Sequence, residues 1–277
     1  MNSVTTDRGP APNRLTGSEF EAAGRRAGST VGCEIRHYTV LSSTMNEAAR
    51  LAREGASGGL VVIADSQSAG RGRHGRQWVS VPGQDLLLSI ALRPRPSVAA
   101  QLLMLASLAA ARATHDVGGV EATLKWPNDV RYGGRKLCGV LAESYQVGGD
   151  LIVVVGIGLN VNLDSVAARS SGIDATSLAE IVGRTVSRLE TFKSLLGHCD
   201  RLYRELDSGE SLVPEWSSKL ETIGTDVTVV FRADARASQA IHGRAEGVDE
   251  AGRLLVRDVH GDLWPVSAGE VTLQASR

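Results

Sequence analysis

Short, nearly unbroken apolar runs punctuate this chain and mark its strands. Leu60-Val61-Val62-Ile63-Ala64 and Leu86 to Leu92 are two of them; Lys136 to Gln146 and Leu151 to Asn160, joined at Gly148-Gly149, are two more. Segments apolar on both faces belong in the middle of a covered sheet, so the last two predict a long antiparallel pair at its centre. Glu34 to Val40 predicts a further strand, and Glu121 to Leu124 precedes a tight hairpin turn at Gly133-Gly134. Between these runs the apolar spacing changes to that of helices. Met45 to Arg53 places Ala48, Ala49, Leu51 and Ala52 on one side, behind the capping hydroxyls of Ser42-Ser43-Thr44; Val98 to His115 follows a turn at Pro94 to Ser97. The clearest helix is Arg188 to Leu206, with Leu189, Phe192, Leu195, Leu196, Cys199, Leu202, Tyr203 and Leu206 at helical spacing. Near the N-terminus, Ser18 and Glu21 form a capping-box pattern for a short helix to Arg26.

After Ile223 the pattern shifts. Val227 to Phe231, Gly243 to Val248, Leu254 to Val256 and Leu263 to Val266 are evenly spaced short strands with Gly/Asp turns, which predicts a small β-barrel leaning on the rest. The expected organisation is α+β: an N-terminal extension over 1–31, disordered over Met1 to Pro12, a main domain over 32–222 and a small C-terminal domain over 223–277. Ser165 to Asp174 reads as a loop.

Composition narrows the function classes. A net charge of −1 leaves no global basic field to draw the chain onto nucleic acid, so anion binding must be local. Cys33, Cys138 and Cys199 are far apart with no C-x-x-C, which fits a reduced, cytoplasmic protein. The six histidines form no zinc-binding spacing. No run reads as membrane-spanning and the N-terminus lacks an apolar signal core.

The local anion site is legible at Asp65 to Trp78, where Gly70, Gly72 and Gly75 interleave with Arg71, Arg73 and Arg76, between Gln67 and Trp78. The three glycines satisfy G-x-G-x-x-G, but a strand rather than a helix follows, which argues against a dinucleotide fold. No Lys-Ser or Lys-Thr follows them, which argues against a P-loop. Four further features fall at strand ends or loops: Ser43-Thr44, Lys125-Trp126-Pro127-Asn128-Asp129, Lys136, and Gly156-Ile157-Gly158-Leu159-Asn160. Each alone also reads as structural: a rigid turn, a solvated lysine, a strand end. If Lys125 and Lys136 bracket a hairpin, both reach one anionic site with the arginines, and so many cations point to a nucleoside triphosphate. Asn128 and Asp129 suit a sugar, a purine edge or a Mg²⁺, and Trp78 offers a stacking face.

Taken together, G-R-G-R-H-G-R-Q-W (Gly70 to Trp78), K-W-P-N-D (Lys125 to Asp129), K-L-C-G-V-L-A-E (Lys136 to Glu143) and G-I-G-L-N-V-N (Gly156 to Asn162) resemble the biotin protein ligases, over roughly Glu34 to Leu273. The resemblance implies a catalytic domain related to class II aminoacyl-tRNA synthetases, with an SH3-like domain after it. It implies activation of biotin by MgATP to biotinyl-5′-AMP, then transfer to a lysine of the biotin carboxyl carrier domain of an acyl-CoA carboxylase, by a monomer or homodimer. The implied biotin contacts are Ser43, Thr44, Gln67, Gly70, Arg71, Gly72, Arg73 and Lys136, with Lys136 and Arg73 catalytic. Arg73, Arg76, Trp78, Lys125, Asn128, Asp129 and Asn160 are the implied nucleotide contacts, with Asp129 a Mg²⁺ ligand. Two departures stand out: the family's Ser-Thr-Asn is here Ser43-Thr44-Met45, with Asn46 one place late, and no helix pair precedes Gly32, so no DNA binding is expected. Rival readings are a lipoate or octanoate protein ligase, a nucleic-acid-binding module suggested by R-G-R-H-G-R and a small barrel, and an inactive biotin sensor.

Overall fold

The computed structural model describes residues 15–24, 28–164, 168, 174–233, 237–267 and 269–273. The disorder expected for Met1 to Pro12, the end of the first helix at Arg26 and nearly all of the Ser165 to Asp174 loop lie outside these residues.

Seven strands form the main sheet: β1 Ile35–Tyr38, β2 Leu60–Ala64, β3 Leu86–Leu92, β4 Thr123–Lys125, β5 Asp129–Tyr132, β6 Arg135–Val147 and β7 Asp150–Leu159, in the order β1-β2-β3-β7-β6-β5-β4. β1 and β2 run parallel and every other neighbouring pair is antiparallel, so the sheet is mixed. Every residue of β2 and β3 is buried, which is what their unbroken apolar pattern demands. Alternation along β2 splits the core in two. Leu60 and Val62 meet helix α2, Thr44–Arg53, through Met45, Ala48, Ala49 and Ala52. Val61 and Ile63 face the larger cluster formed with α3, Leu102–Gly118, and α5, Arg188–Ser208. The stretch Pro96–Gly118 does reach membrane-spanning length and apolarity, contrary to the sequence reading. Most of its alanines and leucines, from Leu102 to Ala113, are buried because it is the central helix of this layer, packed between the sheet and α5.

Three sequence expectations are corrected at helix ends. The first helix, α1, spans Gly17–Gly24, and its capping box is Thr16 with Glu19 rather than Ser18 with Glu21: Glu19 N donates to Thr16 Oγ1, and Thr16 N donates to Glu19 Oε2 at 2.8 Å. α3 starts at Leu102, because Pro96–Gln101 forms a 3-10 turn ahead of it. Ser43 occupies the N-cap position of α2, yet its hydroxyl does not cap; Gln67 Oε1 accepts from Thr44 N at 2.8 Å instead. Two short helices, α4 Leu178–Val182 and α6 Val213–Ser218, were not foreseen.

Beyond them, β8 Asp226–Ala233, β9 Ala237–Val248, β10 Leu254–Asp258, β11 Leu263–Val266 and β12 Glu270–Leu273 form an antiparallel five-stranded sheet in the order β11-β10-β9-β8-β12. Val227, Val229, Ala245, Leu254, Val256, Val266 and Val271 are buried in the same cluster as the main sheet's larger face. The joint is specific as well as apolar: Trp126 Nε1 donates to Gly252 O at 2.9 Å.

Candidate functional site

A cavity of about 740 Å³ opens over the β6–β7 face of the main sheet. It is lined by Ser43, Thr44, Gln67, Arg71, Gly72, Arg73, Arg76, Trp78, Lys125, Asn128, Asp129, Lys136 and Asn160, which is every site residue expected from the sequence except Gly70. Five cationic side chains, Arg71, Arg73, Arg76, Lys125 and Lys136, face three carboxylates, Asp129, Asp164 and Asp174. The lining is therefore positive although the chain is slightly acidic, as an anionic ligand requires.

The floor exists because three positions lack a side chain. Gly139 of β6 pairs with Gly158 of β7, and Trp78 lies on both: a Cβ on Gly158 would stand 2.6 Å from the indole, and one on Gly139 2.7 Å from it. Lys136 Nζ sits 5.3 Å from the centre of the Trp78 ring and 2.6 Å from Asp129 Oδ1. Ion pair and ring together hold the ammonium at the cavity wall. The third position, Gly156, accommodates Met45, whose Cγ and Sδ would be 2.9 Å from a Cβ there.

The apolar floor is flanked by a polar end. Thr44 Oγ1 shares a 2.8 Å hydrogen bond with Ser89 Oγ and lies 3.2 Å from Gln67 Oε1. Ser43 Oγ and Trp78 Nε1 are buried and have no hydrogen-bond partner in the protein. Buried polar atoms are rarely left unpaired; here both belong to residues that line a cavity, where a ligand can reach them.

The glycine-arginine loop arches over this floor as a small hairpin. Gly72 N donates to Arg76 O at 2.7 Å and Trp78 N to Gly70 O at 2.9 Å, around a 3-10 turn at Arg73–Gly75. Gly70, which borders a second, open pocket on the loop's flank, is required by crowding rather than by charge: a Cβ there would stand 2.8 Å from Trp78 O. Arg73 Nη1 donates to Asn128 Oδ1 at 3.3 Å and Nη2 to Gly269 O at 3.1 Å, so the loop touches both sheets. Arg71 donates to Asn46 Oδ1 at 2.7 Å and pairs with Glu143.

Two residues expected to contact the nucleotide also hold structure. Asn160 Nδ2 donates to Thr176 O at 3.0 Å and to Lys136 O, and Asn128 Nδ2 donates to Val140 O at 2.6 Å, so both amides brace the strand that carries Lys136. The cysteine beside that lysine offers no nucleophile, because burial pushes the Cys138 thiol well up from its ordinary range.

Residues 38–162 match the family described as the biotin/lipoate A/B protein ligase family. The chain is 32% identical over 257 residues to the bifunctional ligase/repressor BirA of Bacillus subtilis, covering 90% of this chain and 77% of that protein. The chain belongs to the biotin protein ligase family. A biotin–[acetyl-CoA-carboxylase] ligase of Mycobacterium tuberculosis is 36% identical over 252 residues, 87% of this chain and 90% of that protein. Among solved structures, the biotin protein ligase from Aquifex aeolicus in complex with biotin and ATP is similar with a TM-score of 0.72 at 28% identity, over 88% of this chain and 100% of that one.

Several residues that shape the cavity were not assigned to it from the sequence. In the segment Ser43-Thr44-Met45-Asn46, Met45 fills the floor over Gly156 while Asn46 holds Arg71 of the loop. Gly139, Gly156 and Gly158 were noted only as parts of the motifs Lys136 to Glu143 and Gly156 to Asn162 and were given no role of their own, although Gly156 and Gly158 are two apart and so share a sheet face. Val271 and Thr272 of β12 also line the cavity; nothing local marks them, since sequence distance hides their approach. Among the described residues no group of three or more His, Cys, Asp or Glu could hold a metal. A Mg²⁺ that arrives with phosphates and keeps most of its waters needs only one or two protein carboxylates, and Asp129, Asp164 and Asp174 line the cavity.

Proposed function

We propose that this chain joins biotin to a lysine of a biotin carboxyl carrier domain in two steps within the one cavity. A biotin carboxylate oxygen attacks the α-phosphorus of ATP, forming biotinyl-5′-AMP and releasing pyrophosphate. The neutral amine of the carrier lysine then attacks the acyl carbon, loses a proton and displaces AMP. What carries the reading is the convergence of an unpaired buried hydroxyl, Ser43, an apolar floor and the fixed cation Lys136 in a single lined space.

In this reading Ser43, Thr44 and Gln67 hydrogen-bond the ureido ring, and Gly70 to Arg73 form a lid over biotin. Lys136 and Arg73 neutralise carboxylate against phosphate and the charge that builds on phosphorus. Arg76, Lys125, Asn128 and Asp129 serve the nucleotide, Trp78 stacks on adenine, and Asn160 acts by bracing Lys136. When Mg²⁺ is bound, at Asp129, it screens the phosphate charge. The relatives named for acetyl-CoA carboxylase support the acceptor class, and the reaction is read as cytoplasmic, in keeping with three cysteines that show no C-x-x-C. We read the mixed sheet as a class II synthetase-like domain over 32–222 and the five-stranded sheet as an SH3-like domain over 223–277. Alignment along 90% of the M. tuberculosis ligase supports a ligase without repressor function; a sequence-specific gel shift would sink that.

The family model spans lipoate as well as biotin ligases, so the deciding assay offers both. The protein is incubated with ATP, Mg²⁺, a carrier domain and either biotin or lipoate, and the carrier is weighed intact. A biotin adduct is expected; a lipoyl adduct alone, or none, overturns the proposal.

A further inference from the structure

Arg188 is a charge where the fold asks for none. It opens α5, whose inward positions are otherwise mostly apolar, and only 4% of its side chain is exposed. Its Nη1 has no hydrogen-bond partner. A buried arginine is weak as a source of stability, since an apolar residue of similar volume serves at least as well. Its remaining bonds show what it is for. Nη2 donates to Asp65 Oδ1 at 3.0 Å, and Nε donates to the backbone oxygen of Asp85, also at 3.0 Å. Asp65 directly follows β2 and Asp85 directly precedes β3, adjacent antiparallel strands. These two residues are the feet of the loop 66–84 that carries Gln67, Arg73 and Trp78.

Further contacts hold the feet. Gly83 N donates to Asp65 O at 2.9 Å, His37 Nε2 lies 3.2 Å from Asp65 Oδ2, and Asp85 Oδ1 accepts from Val161 N at 2.9 Å. Asn162 N reaches Gln84 O, tying the loop to the turn just after Asn160. We propose that Arg188 is a positioning residue: it grips both feet of the lid and so fixes where Gln67, Arg73 and Trp78 stand over the cavity. The guanidinium suits this task because its planar fork presents donors in fixed directions, which an ammonium does not. The proposal rests on the lid reading above.

The test uses the full chain carrying Arg188→Lys, which keeps the charge and loses the fork, with Asp65→Asn as a near-isosteric second variant should the first fail to fold. Steady-state carrier biotinylation and hydrogen exchange are measured with and without biotin. We expect a cooperative melt, a KM for biotin raised on the order of 10–100-fold with kcat changed far less, and faster exchange confined to 66–84 in the biotin-bound protein. Unchanged KM and unchanged loop exchange overturn the clamp, as does loosening spread evenly over α3 and β7, which marks a merely structural residue. Failure of the lid itself is separable: it shows in the unsubstituted protein, as strong protection of Gly70 to Arg76 without ligand.

Discussion

Lys136 is held from three directions, by Asp129, by the Trp78 ring and by the bare backbone of Gly139 beneath its stem. A cation so restrained loses little freedom when the reacting charge develops, which is what makes preorganised donors effective. Lys136→Ala should therefore lower the rate of adenylate formation by about 10²–10³-fold, read as pyrophosphate release with biotin saturating; near-normal turnover would remove its assigned role. Gly158→Ala tests the floor. Its Cβ would meet the indole at 2.6 Å, so Trp78 must rise and the KM for ATP should increase more than that for biotin. The ligand-facing cations and amides were legible because charged residues interrupt apolar runs only for a reason. The part played by the strand glycines was not, since a missing side chain leaves no chemical signature until Trp78 or Met45 is seen to occupy its place.

At the level of elements, nearly unbroken apolar runs located β2, β3 and β7 because their residues are buried on both faces; β6 departs from the expected burial, with intermediate and exposed positions from Leu141 to Val147. Short pieces such as α4, α6 and β12 are too brief to be stable by propensity and exist by virtue of what they pack against, so the sequence does not announce them. The β3–β7 junction carries a pH dependence. Burial pushes the Asp85 carboxyl up to about 7, against the pull of backbone N–H groups at Val161, Asn162 and Leu163 and of Arg188. Folding then takes up a proton at this site between the ordinary carboxyl range and about pH 7, so its contribution to stability falls as pH rises through that window and is flat above it. Asp85→Asn has no such proton to lose. The stability difference between parent and variant, from urea melts, should drift against the parent from about pH 4 to about pH 7; a constant difference would mean Asp85 titrates normally.

The two sheets share one hydrophobic cluster and meet through Trp126 and Gly252. Trp126→Phe removes one buried bond across that joint and should cost about 1 kcal/mol, seen as a melting temperature lower by roughly 2–4 °C with a single transition kept. Two transitions would instead mean the sheets fold independently. The expected lean of the small domain on the large one came from its size, which is too small for a core of its own; the particular residues of the joint are a matter of tertiary geometry. That geometry has a practical side. With Val271 and Thr272 in the cavity wall and Gly269 O accepting from Arg73, the wall is completed by β12, which lies more than a hundred residues along the chain from Lys136. A polypeptide severed between Ser218 and Asp226 would yield two inert halves, and labelling of a carrier would then record the moment at which some external tether reunites them.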